Sequence, residues 1–403
     1  MSAEPDPRGP KRLRNLLGLL TRPKPVVGAT PADAVYSENK WRLLRYRPRP
    51  ASEGGLAFRT PVLLVPSLIN RHYVLDLQPG RSFAAWLVAR GHDVFIVDWG
   101  TPTDEDRYLS FDDIADRYLA RALRVAASYG PRAKAHVLGY CLGGTLTAIH
   151  AAAHPGRFAS LTALAAPVGF RDDGLLSLWT NTSSFDVRAL CDATGLVPWQ
   201  IMQGAFHLLR PTLTLSKATH MLDRAWDDEF LDGFLALETW GSDNVSFPGE
   251  AYRRYIEALY RDDALLAGRF TLSGRPARLE SITCPTLAVT FEHDNIVPWQ
   301  SAAALIDRVS ATDKERIHLS GGHVGAVVSR KASETLWPRL SAWWAARDEE
   351  PAPASVTAPE APAPEVLAAP APEAPAASAA PVAPVAAASA SSPRRGTKAR
   401  GRK

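Results

Sequence analysis

The sequence predicts an α/β fold, a mostly parallel sheet flanked by helices, and three observations carry that prediction. Apolar runs at 61–66, 93–98 and 285–291 have no polar face, as strands buried on both sides require. Segments of helical period alternate with these runs, which implies right-handed crossovers. A glycine-rich turn at 139–144 joins the run 135–138 to an apolar helix at 145–153.

The chain of 403 residues is read as one main domain with added ends. Residues 1–35 form a basic N-terminal segment, partly disordered, around an amphipathic stretch at 13–20. That stretch suits either a lipid or polymer surface or a frayed tail with one docked turn. The first part of the core is placed at 36–171. It starts with an apolar and basic alternation at 37–46, read as an edge strand. A buried strand at 61–66, a helix at 82–90 closed by Gly91 and a second strand at 93–98 follow. A long amphipathic helix is predicted at 111–128, with Gly130 after its end. The strand at 160–166 completes this half.

From 172 to 275 no clear buried strand is seen, but aromatics are many, Trp199, Phe206, Trp240, Tyr255 and Tyr260 among them. This reads as a helical lid insertion, and a lid excludes water where acyl transfer competes with hydrolysis. The second part of the core, 276–347, brings a strand at 285–291, a helix at 299–309, a strand at 316–320 and a closing helix at 336–347. The Pro/Ala-rich tail, 348–403, cannot bury enough apolar surface to offset chain entropy and is expected to be disordered. It ends in a basic tip, 394–403, suited to nucleic acid or another acidic surface.

Composition narrows the possibilities. The net charge of +4 comes from 46 Lys and Arg against 42 Asp and Glu, with the cations clustered at the two ends. Three cysteines, Cys141, Cys191 and Cys284, are too few and scattered for a disulfide framework or a zinc site, which favours a reducing compartment. No apolar run approaches the roughly 18 residues of a membrane span, and the apolar stretch 16–20 is too short for a secretory leader. A cytoplasmic protein without a transmembrane segment, metal or resident cofactor is expected.

The turn carries the chemistry. In Gly139-Tyr140-Cys141-Leu142-Gly143-Gly144, glycines flank a reactive side chain between strand and helix, the pattern of a nucleophile elbow with Cys141 in place of serine. A free cysteine can also be a small buried hydrophobe, so partners decide. Asp294 follows a predicted strand and His323 sits on the loop Gly321-Gly322-His323-Val324-Gly325, in the order nucleophile, acid, base of an α/β-hydrolase. His136, His293 and His318 are rivals for the base, but none stands on a glycine-rich loop. Two amides are expected to form the oxyanion hole, that of Leu142 at the helix N-terminus and that of Leu68 or Ile69 after the strand at 61–66.

The elbow, the segment 69–78, the acid segment 294–298 and the base loop 320–325 together resemble the polyhydroxyalkanoate synthases, over about residues 40–344. The resemblance implies an acyltransferase that polymerises 3-hydroxyacyl-CoA, with the coenzyme A thioester as substrate. It is greatest to the short catalytic subunit of two-subunit synthases, which implies a homodimeric core, a second synthase subunit, and association with the growing polyester chain and the granule surface. Asn295 departs from the histidine usual after the acid, and the Pro/Ala tail lies outside the family pattern. Two rivals predict different outcomes: a thioesterase or polyester depolymerase uses water as acceptor, and a non-catalytic granule-associated or nucleic-acid-tethering protein does not need Cys141.

Overall fold

The computed structural model describes residues 8–209 and 213–348. Helix α1 (Gly9–Leu17) precedes the sheet and docks on the insertion. Its Asn15 is buried and donates to the Ala225 carbonyl and to Asp228 Oδ1, both at 2.9 Å. Arg22 pairs with Asp232 at 2.7 Å. The face carrying Leu13 and Leu17 remains exposed.

The central sheet has eight strands: β1 (Ala32–Glu38), β2 (Trp41–Tyr46), β3 (Val62–Val65), β4 (Val94–Asp98), β5 (His136–Tyr140), β6 (Ser160–Leu164), β7 (Thr286–Phe291) and β8 (Lys314–Leu319). Their spatial order is β1-β2-β4-β3-β5-β6-β7-β8. β2 runs antiparallel to both neighbours, and all strands from β4 to β8 are parallel.

The edge departs from the sequence reading. The single strand expected at 37–46 is a hairpin, because Asn39 turns the chain at φ +53° and separates β1 from β2. Asparagine tolerates that left-handed conformation better than most residues. The sheet therefore begins at Ala32, ahead of the predicted core boundary at 36.

Every residue of β3, β4, β5, β6 and β7 is buried. Alternation divides them between two cores. Leu63, Val65 and Val137 face α3 (Leu119–Ala127) and α4 (Leu142–Ala153), after α2 (Phe83–Val88) in the chain. Val62, Leu64 and Leu138 face the opposite core, which holds Phe83 of α2. Each fully buried Leu or Val contributes about 1.5–3 kcal/mol. Ser82 caps α2 by accepting from the Ala85 amide at 2.9 Å, and Gly91 closes the segment at φ +84°.

Between β6 and β7 lie α5 (Leu175–Thr180), α6 (Val187–Thr194), α7 (Trp199–Leu209), α8 (Leu213–Arg224), α9 (Asp228–Ser242) and α10 (Gly249–Arg254). Two short antiparallel pairs accompany them, Leu196–Val197 with Phe247–Pro248 and Thr271–Leu272 with Arg275–Pro276. After β7 come α11 (Trp299–Arg308), α12 (Gly325–Val328) and α13 (Arg330–Ala345), whose Trp337 and Trp344 pack with Phe83. Of the predicted 348–403 tail, Asp348 belongs to the folded body, since its carboxylate accepts from the Thr60 and Arg59 amides at 2.8 and 3.0 Å. The remainder, 349–403, with its basic tip, lies outside the described residues.

Candidate active site

β5 ends at Tyr140 and α4 begins at Leu142, so Cys141 alone makes the turn, at φ +54° and ψ −129°. A left-handed φ in a non-glycine residue costs on the order of 1–3 kcal/mol and persists where the surroundings enforce it. Here the surroundings are packed backbone. A Cβ at Gly139 would lie 2.4 Å from Gly144 Cα and from Thr147 Oγ1, one at Gly144 would lie 2.2 Å from Ala166 Cβ, and one at Gly143 would lie 2.1 Å from the Val65 carbonyl oxygen. The three glycines let helix and strand approach until no side chain fits. The Cys141 amide donates to the Leu164 carbonyl at 3.0 Å, which fixes the turn to β6. Leu142 is the first residue of α4, so its amide has no acceptor within the helix.

Parallel pairing brings the carboxyl ends of β3, β5, β7 and β8 to one edge. Asp294 follows β7 and His323 follows β8. Asp294 Oδ1 accepts from the Ile296 and Val297 amides, both at 2.9 Å, which orients the carboxylate. Its Oδ2 accepts from His323 Nδ1 at 2.7 Å. Cys141 and His323 line one cavity, and the sulfur acts electrostatically on the ring. Burial opposes charge on His323, but the Cys141 sulfur and the Asp294 carboxylate outweigh it, and its pKa is pushed up to about 10. The three side chains singled out from sequence therefore meet.

The oxyanion candidates separate. Ile69 lines a cavity of about 160 Å³ together with Cys141, His323, Phe206, Trp240 and Ile296. Leu68 instead borders a different cavity with Trp41, Trp99 and Tyr118. The rival histidines lie elsewhere: His136 hydrogen-bonds Ser160 at 2.7 Å and His318 hydrogen-bonds Thr290 at 2.9 Å. Burial pulls the His136 pKa down to about 4. The Asn295 side-chain amide donates to the His293 carbonyl at 3.1 Å, not to the Asp294 carboxylate.

Two contributors escaped the sequence reading. Tyr140 stacks on the His323 ring, with centroids 5.3 Å apart and planes at 29°, and its hydroxyl donates to the His323 carbonyl at 3.3 Å. Its place beside Cys141 in the elbow was the available signal. Asp243, at the end of α9, accepts from Arg71 at 2.9 Å and from the Tyr73 hydroxyl at 2.8 Å, and Trp240 donates to the Arg71 carbonyl at 2.9 Å. These bonds tie the loop of Ile69 to the insertion, and no local pattern marks a bond that crosses about 170 positions. Tyr255, Tyr260 and Phe247 of the insertion pack with Phe170 in a ring-to-ring cluster.

One cluster among the described residues offers metal-ligand atoms, Asp116, His150 and His154, all within 4.8 Å of one another. It lies at the end of α4 away from Cys141, and its members engage each other and the backbone. His154 Nε2 pairs with Asp116 at 2.8 Å and His150 Nδ1 donates to the Ala115 carbonyl at 2.9 Å.

Fold and elbow define the class: an α/β-hydrolase-fold protein with a cysteine at the nucleophile position. The family model of the alpha/beta hydrolase fold matches residues 60–327. A soluble variant of monoglyceride lipase from Saccharomyces cerevisiae shares the fold, with a TM-score of 0.51 and 13% identity over 82% of this chain and 100% of the lipase. A second family model, the N-terminus of poly-beta-hydroxybutyrate polymerase (PhaC), matches residues 25–87.

Among curated proteins, the poly(3-hydroxyalkanoate) polymerase subunit PhaC of Allochromatium vinosum is 35% identical over 78% of this chain and 88% of its own length. That of Synechocystis is 32% identical over 83% of this chain and 89% of its own. That of Haloferax mediterranei is 34% identical over 80% of this chain, which spans 65% of the haloarchaeal protein. The chain belongs to the poly(3-hydroxyalkanoate) polymerase family.

Proposed function

We propose that the protein polymerises 3-hydroxyacyl groups from coenzyme A thioesters through an acyl thioester on Cys141. The observation that carries this reading is the buried Asp294–His323 pair, 2.7 Å apart, whose imidazole lines the same cavity as the elbow cysteine. An α/β-hydrolase fold alone supports ester chemistry of many kinds, whereas a thiol at the elbow suits exchange between thioesters, which is close to isoenergetic.

In the first half-reaction His323 Nε2 takes the Cys141 proton and the sulfur attacks the thioester carbonyl. The amide of Leu142 and one from the Ile69 loop would hold the oxyanion, each contributing on the order of 3 kcal/mol. The C–S bond to coenzyme A then breaks, and the departing thiolate takes the proton from His323. In the second half-reaction His323 removes the proton of a 3-hydroxyl, whose oxygen attacks the acyl-Cys141 carbonyl. An ester forms, and Cys141 leaves as the sulfur and recovers its proton. Asp294 keeps the imidazole in the tautomer that presents Nε2 to sulfur and stabilises its cationic form. A homodimer, a second synthase subunit and attachment to the polyester granule belong to the same proposal.

Incubation with 3-hydroxybutyryl-CoA tests it. Coenzyme A release accompanied by high-mass polyester is expected. Release with free 3-hydroxybutyrate and no polymer would identify a hydrolase, and no release would identify a binding protein. Cys141→Ala should lower release by at least about 1,000-fold with the thermal midpoint nearly unchanged. A variant that keeps half the rate rules out the acyl-enzyme.

A further inference from the structure

Lys134, two residues before β5, and Cys141, one residue after it, stand at opposite ends of the same strand, roughly 20 Å apart at strand rise. At the Lys134 end the molecule has a cleft of about 260 Å³. Arg124 on α3, Arg132 and Lys134 on the turn before β5, and Arg157 on the turn before β6 all line it, and no carboxylate does. A second cavity of about 250 Å³ shares Arg132, Lys134 and Gly156 with the first and adds Arg347, which pairs with Asp313.

Arg124, Lys134 and Arg157 make no ion pair with a carboxylate among the described residues. Cations gathered around one concavity repel each other, and low-dielectric walls strengthen that repulsion. The charge of Arg124, Lys134 and Arg157 costs folding energy where no anion neutralises it. Backbone geometry points the same way. Ala133, between Arg132 and Lys134, also lines the cleft and adopts φ +51°, a conformation that disfavours a residue with a Cβ. Gly156, at φ +84°, makes the facing turn, with no atom within 4 Å of where a Cβ would stand. Lys134 is half-buried and borders both cavities, while Arg124, Arg132 and Arg157 are exposed at the rim. An inner ammonium with guanidinium groups around it suits phosphate oxygens, which accept forked bonds from arginine and a point charge from lysine.

We propose that this cleft binds a small molecule carrying two or three linked phosphates, either a nucleoside polyphosphate or a short inorganic polyphosphate. The spread of Arg124, Lys134 and Arg157 around the cleft favours linked phosphates over a single one. The site takes no part in the acyl-transfer chemistry, so its test is binding.

Titration calorimetry on the full chain at 150 mM salt, with tripolyphosphate and with ATP, should show one saturable site. Lys134→Gln and Arg157→Gln should each weaken it at least tenfold, with coenzyme A release in the absence of phosphates and the thermal midpoint unchanged. Arg157 is exposed, so its variant remains informative should Lys134→Gln fail to fold. Tighter binding of ATP than of tripolyphosphate assigns the nucleoside source, and equal or weaker binding assigns the inorganic one. Binding that is unchanged in both variants belongs to another basic segment and overturns the proposal. Absence of a saturable site, equal competition by inorganic phosphate, or preferential binding of a single-stranded oligonucleotide does the same.

Discussion

His323 experiences opposing influences. Burial disfavours its cation, and the sulfur of Cys141 and the carboxylate of Asp294 favour it strongly enough to raise its pKa to about 10. The unfolded value is near 6.5. A raised basic pKa gives stability that is complete below the unfolded value and is lost as pH climbs through the folded one. Asp294→Asn removes part of that gain, so the variant should trail the wild type in unfolding free energy most at pH 6 and progressively less toward pH 10. Chemical denaturation across that range measures it; a gap independent of pH would refute the charge pairing. The same substitution should lower the rate of coenzyme A release at least about 100-fold, because the imidazole loses its preferred tautomer. At this scale much was legible. Cys141, Asp294 and His323 followed from a glycine pattern, a strand end and chain order. Tyr140 was marked only by its place beside Cys141, because its stacking on His323 depends on how β8 pairs with β7.

Among the elements, the elbow depends most on absent side chains. Gly144→Ala would put a Cβ 2.2 Å from that of Ala166, whose neighbours are held by the Ala165 amide donating to the Val289 carbonyl at 2.9 Å and by the Pro167 carbonyl accepting from Thr145 Oγ1 at 2.7 Å. Overpacking of this kind costs typically 1–3 kcal/mol and sometimes more. We expect a loss of about 3 kcal/mol in urea unfolding, together with reduced acylation of Cys141; a stability within 0.5 kcal/mol of wild type would show that α4 can shift away from β5. The buried strands were readable because burial on both faces leaves no polar alternation to mask them. The edge hairpin was not, since β1 carries Asp33, Ser37 and Glu38 among small and apolar residues with no strong strand pattern, and only Asn39 marks the reversal into β2.

For the molecule as a whole, contacts between distant segments matter. Helix α1 reaches across more than 200 positions to α9, with Asn15 bonded to the Ala225 carbonyl and to Asp228. Asn15→Ala leaves a buried carbonyl without that donor and should cost about 1–2 kcal/mol, localised to the N-terminal segment. Hydrogen exchange of the Arg12 and Gly18 amides, both bonded within α1, should accelerate several-fold with the sheet amides unaffected. Equal acceleration in the sheet would mean that α1 supports the whole fold. The basic, leucine-bearing stretch at 13–20 suited either a lipid or polymer surface or a frayed tail with one docked turn, and composition could not choose between them.

By itself, the sequence determined the parallel sheet, the elbow and the order of the candidate nucleophile, acid and base, because each rests on local steric or hydrophobic patterns that survive in one dimension. Tertiary structure decided which loop residue borders the cavity, Ile69 and not Leu68, how Asp243 ties that loop to the insertion, and where α1 rests. Those outcomes depend on side chains separated by many residues finding complementary partners, and such complementarity becomes visible only once the chain has brought them together.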